Sequence, residues 1–188
     1  MAVVLNGNGT LTGLTTGGIS STKAIADAAM PQGAIINESS TVETGTVSAS
    51  TGQASYSSAL ISISYAAASS SNKLLVIAQF NMSIDGTSAA GYGTLHVGGS
   101  PSSFRGDADG NRLRITTSAR PGNSGGLENQ TIVHLISSPS TSSTTYDVRG
   151  SHANDQTHTI YLNRTGSDVN QNYEGRCASS ITIMEFVG

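Results

Sequence analysis

The stretch Gly122-Asn-Ser124-Gly-Gly126 carries the residue types of a nucleophile loop for acyl transfer. Backbone N–H groups beside such a serine can form an oxyanion hole, and a histidine must accept the hydroxyl proton. The only histidine upstream is His96, with Asp107 and Asp109 in between. In enzymes with such a loop, the histidine and an aspartate sit on the first of two β-barrels or at their junction, far before the serine. The interval between His96 and Ser124 is too short to hold two barrels. The sequence therefore favours a glycine-rich surface loop and predicts no enzymatic activity.

The segment Asp107-Ala-Asp109-Gly-Asn has the alternating acidic side chains that begin a calcium loop. An EF-hand would need a glutamate near position 118, which is Ser118, and flanking helices. Because Asp-Gly is also a hairpin signal, a tight turn is the preferred interpretation. His134 lies between Ile132 and Ile136 and would hold an ion only if it lined a threefold axis, whereas such a histidine is more often a buried polar group. We predict no metal and no cofactor.

Composition excludes several classes of function. The 188 residues carry a net charge of −3, and the nine basic residues are scattered, so no clustered positive face for nucleic acid is expected. No apolar run has the length of a membrane helix, which argues against membrane insertion. The N-terminus lacks the charged and apolar regions of a secretory signal. Cys177 is the only cysteine, so no intrachain disulfide can form.

The chain is organised around residues 73–85. Read with a period of two, one face carries six apolar side chains, and the opposite face begins with Leu75 and Ile77 before turning polar. This pattern predicts a long, half-buried β-strand. The six residues on the fully apolar face are Leu74, Val76, Ala78, Phe80, Met82 and Ile84.

Short alternating runs separated by polar turns indicate partners for this strand. We predict an all-β protein, an antiparallel β-sandwich of the jelly-roll type, over residues 34–188. Residues 1–33 are glycine- and threonine-rich, and we predict an extended arm with one short helix at 23–29. The remaining predicted strands are residues 34–36, 41–48, 56–65, 91–97, 112–117, 130–137, 144–149, 157–164 and 180–187.

Two predicted strands are apolar on both faces. Residues 130–137 carry Val133 and Leu135 on one side and Ile132 and Ile136 on the other. Residues 180–187 show the same property. Because only one face of an antiparallel sandwich usually meets the core, we expect a neighbouring subunit to cover the second face.

Long polar loops are the expected ligand-binding surface. They lie at residues 98–110, 118–128, 137–144 and 164–175. Their aromatic and charged side chains are candidates for contacts with a sugar. The candidate residues are Phe104, Arg105, Asp107, Asp109 and Tyr173.

The two ends of the chain carry a resemblance. The opening Val4–Ile19, followed by Ser21–Asp27 and Met30–Gly33, resembles the Gly/Thr-rich stem segments of bacteriophage tail-fibre and related virion proteins. The closing run Ser179–Gly188, with residues 157–163 before it, is similar to the last strands of their jelly-roll heads. The resemblance implies a homotrimer with a head like that of tumour-necrosis-factor-type jelly rolls and an arm that docks onto another virion structural protein.

The resemblance gives the expected function. The protein would be a non-enzymatic virion protein assembled in the host cytoplasm, a short trimeric tail fibre or spike that binds host-surface glycan. Because the chain has almost no shaft, a capsid or tail decoration protein of the same fold remains the alternative. The candidate trimer-interface residues are Ile132, His134, Ile136, Met184 and Phe186. The candidate virion-attachment residues are Val3, Leu5, Leu11 and Leu14.

Overall fold

A computed structural model of the protein describes residues 4–5, 11–12, 30–85, 90–119, 126–153, 156–172 and 174–188. The chain divides into two compact units, Met1–Pro31 and Gln32–Gly188. In the first unit, β1 (Val4–Leu5) pairs antiparallel with β2 (Leu11–Thr12), and Leu5 lies opposite Leu11. Val3, Leu14 and the helix predicted at 23–29 lie outside the described residues.

Eleven strands lie among the described residues of the second unit, and all their pairings are antiparallel. In chain order they are β3 (Ile35–Glu43), β4 (Val47–Thr51), β5 (Ala59–Tyr65), β6 (Lys73–Ile84), β7 (Gly91–Val97), β8 (Ser100–Pro101), β9 (Thr117–Ala119), β10 (Glu128–Ser137), β11 (Thr144–His152), β12 (His158–Leu162) and β13 (Ser179–Phe186).

The first sheet is built around β6. One edge of β6 pairs with β10, and the other edge pairs first with β13 and then with β12. The sheet continues from β13 to β3 and from β12 to β4. In the second sheet the order is β5-β11-β7, and the free edge of β7 pairs with β8 and β9. The two sheets pack as a β-sandwich.

The core lies between the sheets, and the predicted face of β6 lines it. All six of its apolar side chains are at most 2% exposed. The facing side chains come from alternate positions of the second sheet, including Ile61, Ile63, Leu95 and Val148. Because alternate residues of a strand point to opposite faces, the period of two in the sequence fixes which side chains leave water.

Two glycines let the sheets approach closely. Gly93 of β7 and Gly150 of β11 lie directly opposite each other. A Cβ atom at residue 150 would lie 2.5 Å from Cδ1 of Ile160, and one at residue 93 would lie 2.6 Å from Cζ of Phe80. Side chains of the first sheet therefore fill the space that the missing Cβ atoms leave in the second.

Several predicted boundaries are wrong. The strand predicted at 34–36 and the first part of the strand predicted at 41–48 form one strand, β3. The last part of the strand predicted at 41–48 belongs to a second strand, β4, which begins at Val47. The chain turns between them, where the Glu43 carboxylate accepts a hydrogen bond of 2.7 Å from the Gly45 N–H. The predicted loop 98–110 contains the short strand β8.

The strand predicted at 112–117 is also wrong, because only β9 forms there. Two carbonyls of the segment are used by non-strand partners. The Arg114 carbonyl accepts a bond from the Tyr56 hydroxyl, and the Ile115 carbonyl accepts one from the Gly106 N–H. The segment therefore folds back on its own loop instead of joining a ladder.

The described residues contain no helix. None of the segments that the structure describes could therefore cross a membrane as a long apolar helix.

We predict that Gly150→Ala lowers the free energy of unfolding by about 1–3 kcal/mol, because the new methyl group overpacks the core against Ile160. Ile160→Val removes the nearest atom, so the double variant should lose less stability than the two single losses combined. Urea denaturation measures all three values. Gly175→Ala is the matched control, since a Cβ atom there would meet nothing within 4 Å. Strict additivity of the two changes would contradict the packing described.

Candidate functional site

The outer face of the first sheet is apolar at its centre. Leu75 of β6 lies between Leu135 and Met184 in the strand register, and Ile77 lies beside Val133. Val133 is 52% exposed and Leu135 is 48% exposed. We call this surface the apolar face. It comprises Leu75, Ile77, Val133, Leu135, Met184 and Phe186.

The apolar face differs from the outer face of the second sheet. There, Ser62 and Ser64 of β5 are exposed, as expected for a solvated sheet face. At the sheet edge, Ile35 lies opposite Phe186 and extends the apolar face, with 55% of its surface exposed. A contiguous apolar surface of this kind is typical of a protein–protein contact.

Three of the predicted interface residues, all on β10, point to the inner side of the first sheet and not to the apolar face. Ile132 is 1% exposed and belongs to the core, and Ile136 packs against the core. The ring of His134 stacks on Phe104, with 4.5 Å between centroids and 5° between planes. Burial lowers the pKa of His134. The residues of β10 that face outward are Val133 and Leu135, and the core position of Ile132 removes it from the surface. The interface predictions for His134 and Ile136, which are partly exposed on the inner side of β10, stay predictions.

The other two predicted interface residues lie on the outer side. Met184 and Phe186 alternate with the buried residues Ile181, Ile183 and Glu185 of β13 and are partly exposed. The sequence showed that both sides of β10 and β13 are apolar, and the burial pattern identifies the outward side.

The predicted ligand-binding loop residues lie mainly in residues 102–116, which we call the covering loop. One face of the Phe104 ring is occupied by His134. Arg105 Nε is buried without a hydrogen-bond partner among the described residues. Asp107 is exposed, and Asp109 forms an ion pair with Arg112. Tyr173 lies outside the described residues, and Phe104 and Asp109 contact different partners.

The covering loop and Tyr56 enclose a polar cluster on the outer face of the second sheet. His96 and Asp147 lie opposite each other on β7 and β11 and are only 2% and 1% exposed. Tyr56 covers His96, with 4.8 Å between ring centroids, and its hydroxyl donates to the Arg114 carbonyl over 2.8 Å. Arg149 Nε donates to Asp147 over 2.7 Å. The cluster is thus sealed by the loop that the sequence indicated as a ligand surface.

The surroundings of His96 in this cluster favour the neutral form of its ring. Burial lowers its pKa, and the positive charge of Arg149 acts in the same direction. Neither ring nitrogen has hydrogen-bonding geometry to a described partner, although the Gly99 carbonyl is close enough to favour the protonated ring. Ser124, the serine of the nucleophile-like loop, lies outside the described residues. No catalytic assignment follows from His96.

Glu185 is a buried carboxylate that sequence reasoning missed. It is 0% exposed and accepts hydrogen bonds from the Tyr65 hydroxyl at 2.7 Å, the Ala68 N–H at 2.8 Å and the Asn72 amide at 2.7 Å. A buried charge is tolerated only with such partners. The signal available in the sequence was its place in the alternating series after Ile181 and Ile183. The network holds residues 66–72 against the last strand.

A second polar network shapes the loop at residues 164–176. Asp168 forms ion pairs with Arg164 at 2.9 Å and with Arg176 at 2.5 Å. The Arg164 guanidinium also lies 3.8 Å from the centroid of the Tyr161 ring. These contacts fix the loop, and they account for the charges that made it a candidate surface.

No group of three or more His, Cys, Asp or Glu side chains in the described ranges is arranged to hold a metal ion. Asp109, from the calcium-like segment, contacts Arg112. A scan against protein-family models finds no match, and no curated protein matches the chain.

We predict that stability falls above pH 10 and that Tyr65→Phe removes part of this fall. Burial raises the pKa of Tyr65, and the Glu185 carboxylate acts in the same direction. The unfolded tyrosine ionises near pH 10 while the folded one stays protonated, so the stabilisation is lost as pH rises above 10.

At neutral pH, Tyr65→Phe should cost about 1.5–3 kcal/mol, because a hydrogen bond to a charged group is lost. Urea unfolding at pH 7 and at pH 10–11 measures both effects. Tyr92→Phe is the control. An unchanged alkaline slope in Tyr65→Phe would contradict the role given to the network.

Proposed function

We propose that the protein is a structural virion protein of a bacteriophage, a short trimeric tail fibre or spike. Residues 34–188 would form the trimeric head, and residues 1–33 would attach it to another virion protein. The phage assignment rests on the resemblance of the two ends of the sequence to fibre stems and heads. The observation that carries the assembly is the apolar face of the first sheet.

The strand order supports a jelly-roll head. If β4, β8 and β12 are left out, one sheet has the order β3-β13-β6-β10 and the other has β5-β11-β7-β9. If the eight strands are numbered along the chain, these orders are one-eight-three-six and two-seven-four-five. This is the arrangement expected when two Greek keys are folded over each other.

The apolar face supports self-association of the head. Its central residues are held on three adjacent strands, so the surface is rigid, and its exposed side chains would leave water on contact with another copy. In a closed trimer, each copy contacts its two neighbours through the same pair of surfaces. The interface candidates on this face are Leu75, Ile77, Val133, Leu135, Met184 and Phe186.

Host-surface glycan is the proposed ligand of the head. Single sugar contacts are weak, so three copies would act through avidity. The alternative is a decoration protein of the same fold that stabilises the particle without a receptor. The two functions share the assembly and differ in whether the purified protein binds host cells.

We predict that Leu135→Glu converts the assembly to a single chain of 19.1 kDa, because a carboxylate would be buried at the centre of the contact. Light scattering of the variant and the wild type gives both masses. Val169→Glu is the matched control, since Val169 is also about half exposed, at 45%, but belongs to the 164–176 loop and not to the apolar face. Retention of the wild-type mass by Leu135→Glu would remove the apolar face from the interface.

We also predict that the purified full-length protein slows adsorption of the phage to its host in a dose-dependent way. A fibre occupies the receptor, whereas a decoration protein does not. Plaque counts of unadsorbed phage provide the measurement, with heat-unfolded protein as the control. Unchanged adsorption by a correctly assembled protein would favour the decoration function.

A further inference from the structure

The strand β10 lies at one end of the first sheet, and one of its two edges has no partner strand. Its other edge pairs with β6 along all 10 residues, from Glu128 opposite Met82 to Ser137 opposite Lys73, without a shift in register. Among the described residues, β10 pairs with no other strand. The first sheet therefore ends at β10 in a long and regular edge.

The contacts of Asn81 on β6 show which backbone groups of β10 face this free edge. The Asn81 carbonyl accepts a hydrogen bond of 2.9 Å from the Asn163 N–H, and the Asn81 N–H donates to the Ser179 hydroxyl over 3.0 Å. Asn163 follows β12 and Ser179 begins β13, so both lie beside the edge of β6 that is opposite β10. Asn81 and Asn129, which lie opposite each other, are therefore a pair without backbone hydrogen bonds.

The alternation of an antiparallel ladder extends this assignment along β10. Bonded and non-bonded pairs alternate, so the even-numbered residues of β10 bond to β6 and the odd-numbered ones direct their N–H and C=O groups to the free edge. None of these edge groups has a backbone partner in the part of the chain that the structure describes. The edge residues are Asn129, Thr131, Val133 and Leu135, and all four are exposed.

The free edge lacks the features that usually prevent a strand from pairing with another chain. Natural edge strands are protected by lysine, proline, a bulge or a covering element. β10 contains no lysine, arginine or proline, and its register with β6 has no bulge. The covering loop reaches β10 through the ring of Phe104, which stacks on the side chain of His134 and leaves the edge groups without a bond. Such an edge can accept a further strand through backbone hydrogen bonds.

The occupant that fits this edge is a second copy of the chain. Side chains and backbone groups of a strand both alternate with a period of two, so the residues at the free edge also have their side chains on the outer side of the sheet. Val133 and Leu135 consequently belong both to the edge and to the apolar face. A copy that covers the apolar face lies directly beside the edge. Glu128 is the only acidic residue of β10, so like charges do not oppose this approach.

We propose that a strand of a neighbouring copy pairs with the free edge of β10 in the assembled head. The first sheet then continues from one copy into the next. The inference rests on the self-association proposed for the head and identifies a backbone contact within it. Each edge residue supplies one N–H donor and one C=O acceptor. The apolar side chains provide burial, and the backbone bonds fix the direction and register of the contact.

Hydrogen exchange of the isotope-labelled full-length protein tests the edge residue by residue. In the wild-type assembly we expect the amides of Thr131 and Val133 to exchange about a hundredfold or more slowly than those of an unstructured chain. In the single-chain variant Leu135→Glu this protection should be lost. The amides of Ile132 and His134 bond to β6, so they should stay protected in both proteins and serve as the internal control.

A proline at the edge tests the same contact by mutation. Thr131→Pro removes an N–H group that does not bond to β6, and proline is tolerated on edge strands at such positions. We expect the dissociation constant of the assembly to rise about tenfold or more, corresponding to about 1.4 kcal/mol. Thr131→Ala is the matched control, because it removes the hydroxyl and keeps the N–H, and it should associate like the wild type. Sedimentation equilibrium measures association, and urea unfolding shows that both variants fold.

Fast exchange of Thr131 and Val133 in an assembled wild-type protein would overturn the edge contact and leave the trimer in place. Slow exchange that persists in single-chain Leu135→Glu would also overturn it, since the chain itself would then cover the edge. A wild-type protein with the mass of a single chain would exclude the self-association and the edge contact together.

Discussion

The structure depends on the double use of β6. Its backbone is paired on both edges, with β10 on one side and with β13 and β12 on the other. One face places six apolar side chains at the centre of the core, where they are almost completely removed from water. Leu75 and Ile77 lie on the other face of β6 and belong to the apolar face. The same strand thus holds the sandwich together and presents the surface proposed for assembly.

Polar groups are concentrated where the chain needs precise local structure. The three donors to Glu185 fix the loop at residues 66–72 against β13, and Asp168 fixes the 164–176 loop. The covering loop encloses His96, Asp147 and their neighbours on the second sheet. The two sheets consequently have different outer faces, one apolar and one polar beneath a loop. This asymmetry distinguishes the surface proposed for assembly from the polar face of the second sheet.

Much of the sandwich could be predicted because a period of two is a local signal. The pattern of residues 73–85 gave β6 and its buried face, and that prediction is confirmed. The same signal failed at residues 112–117, since alternation of Leu113 and Ile115 does not ensure a strand edge to pair with. It also could not show which side of β10 meets the core, because both sides are apolar.

The Glu185 network was beyond the sequence for a different reason. Glu185 bonds to Tyr65 and Asn72, more than a hundred residues away in the chain. No local pattern encodes such meetings, because they arise only when the two sheets are stacked. The loop residues chosen for polarity alone, such as Asp109, form contacts within their own loop.

The association of heads through the apolar face is tested most directly by sedimentation equilibrium of the wild-type protein over a range of concentrations. The account predicts one species with three times the chain mass of 19.1 kDa. It also predicts that this species persists on dilution to micromolar concentration. A single-chain mass at every concentration would show that the apolar face needs no second copy, and the trimeric virion assignment would lose its physical basis.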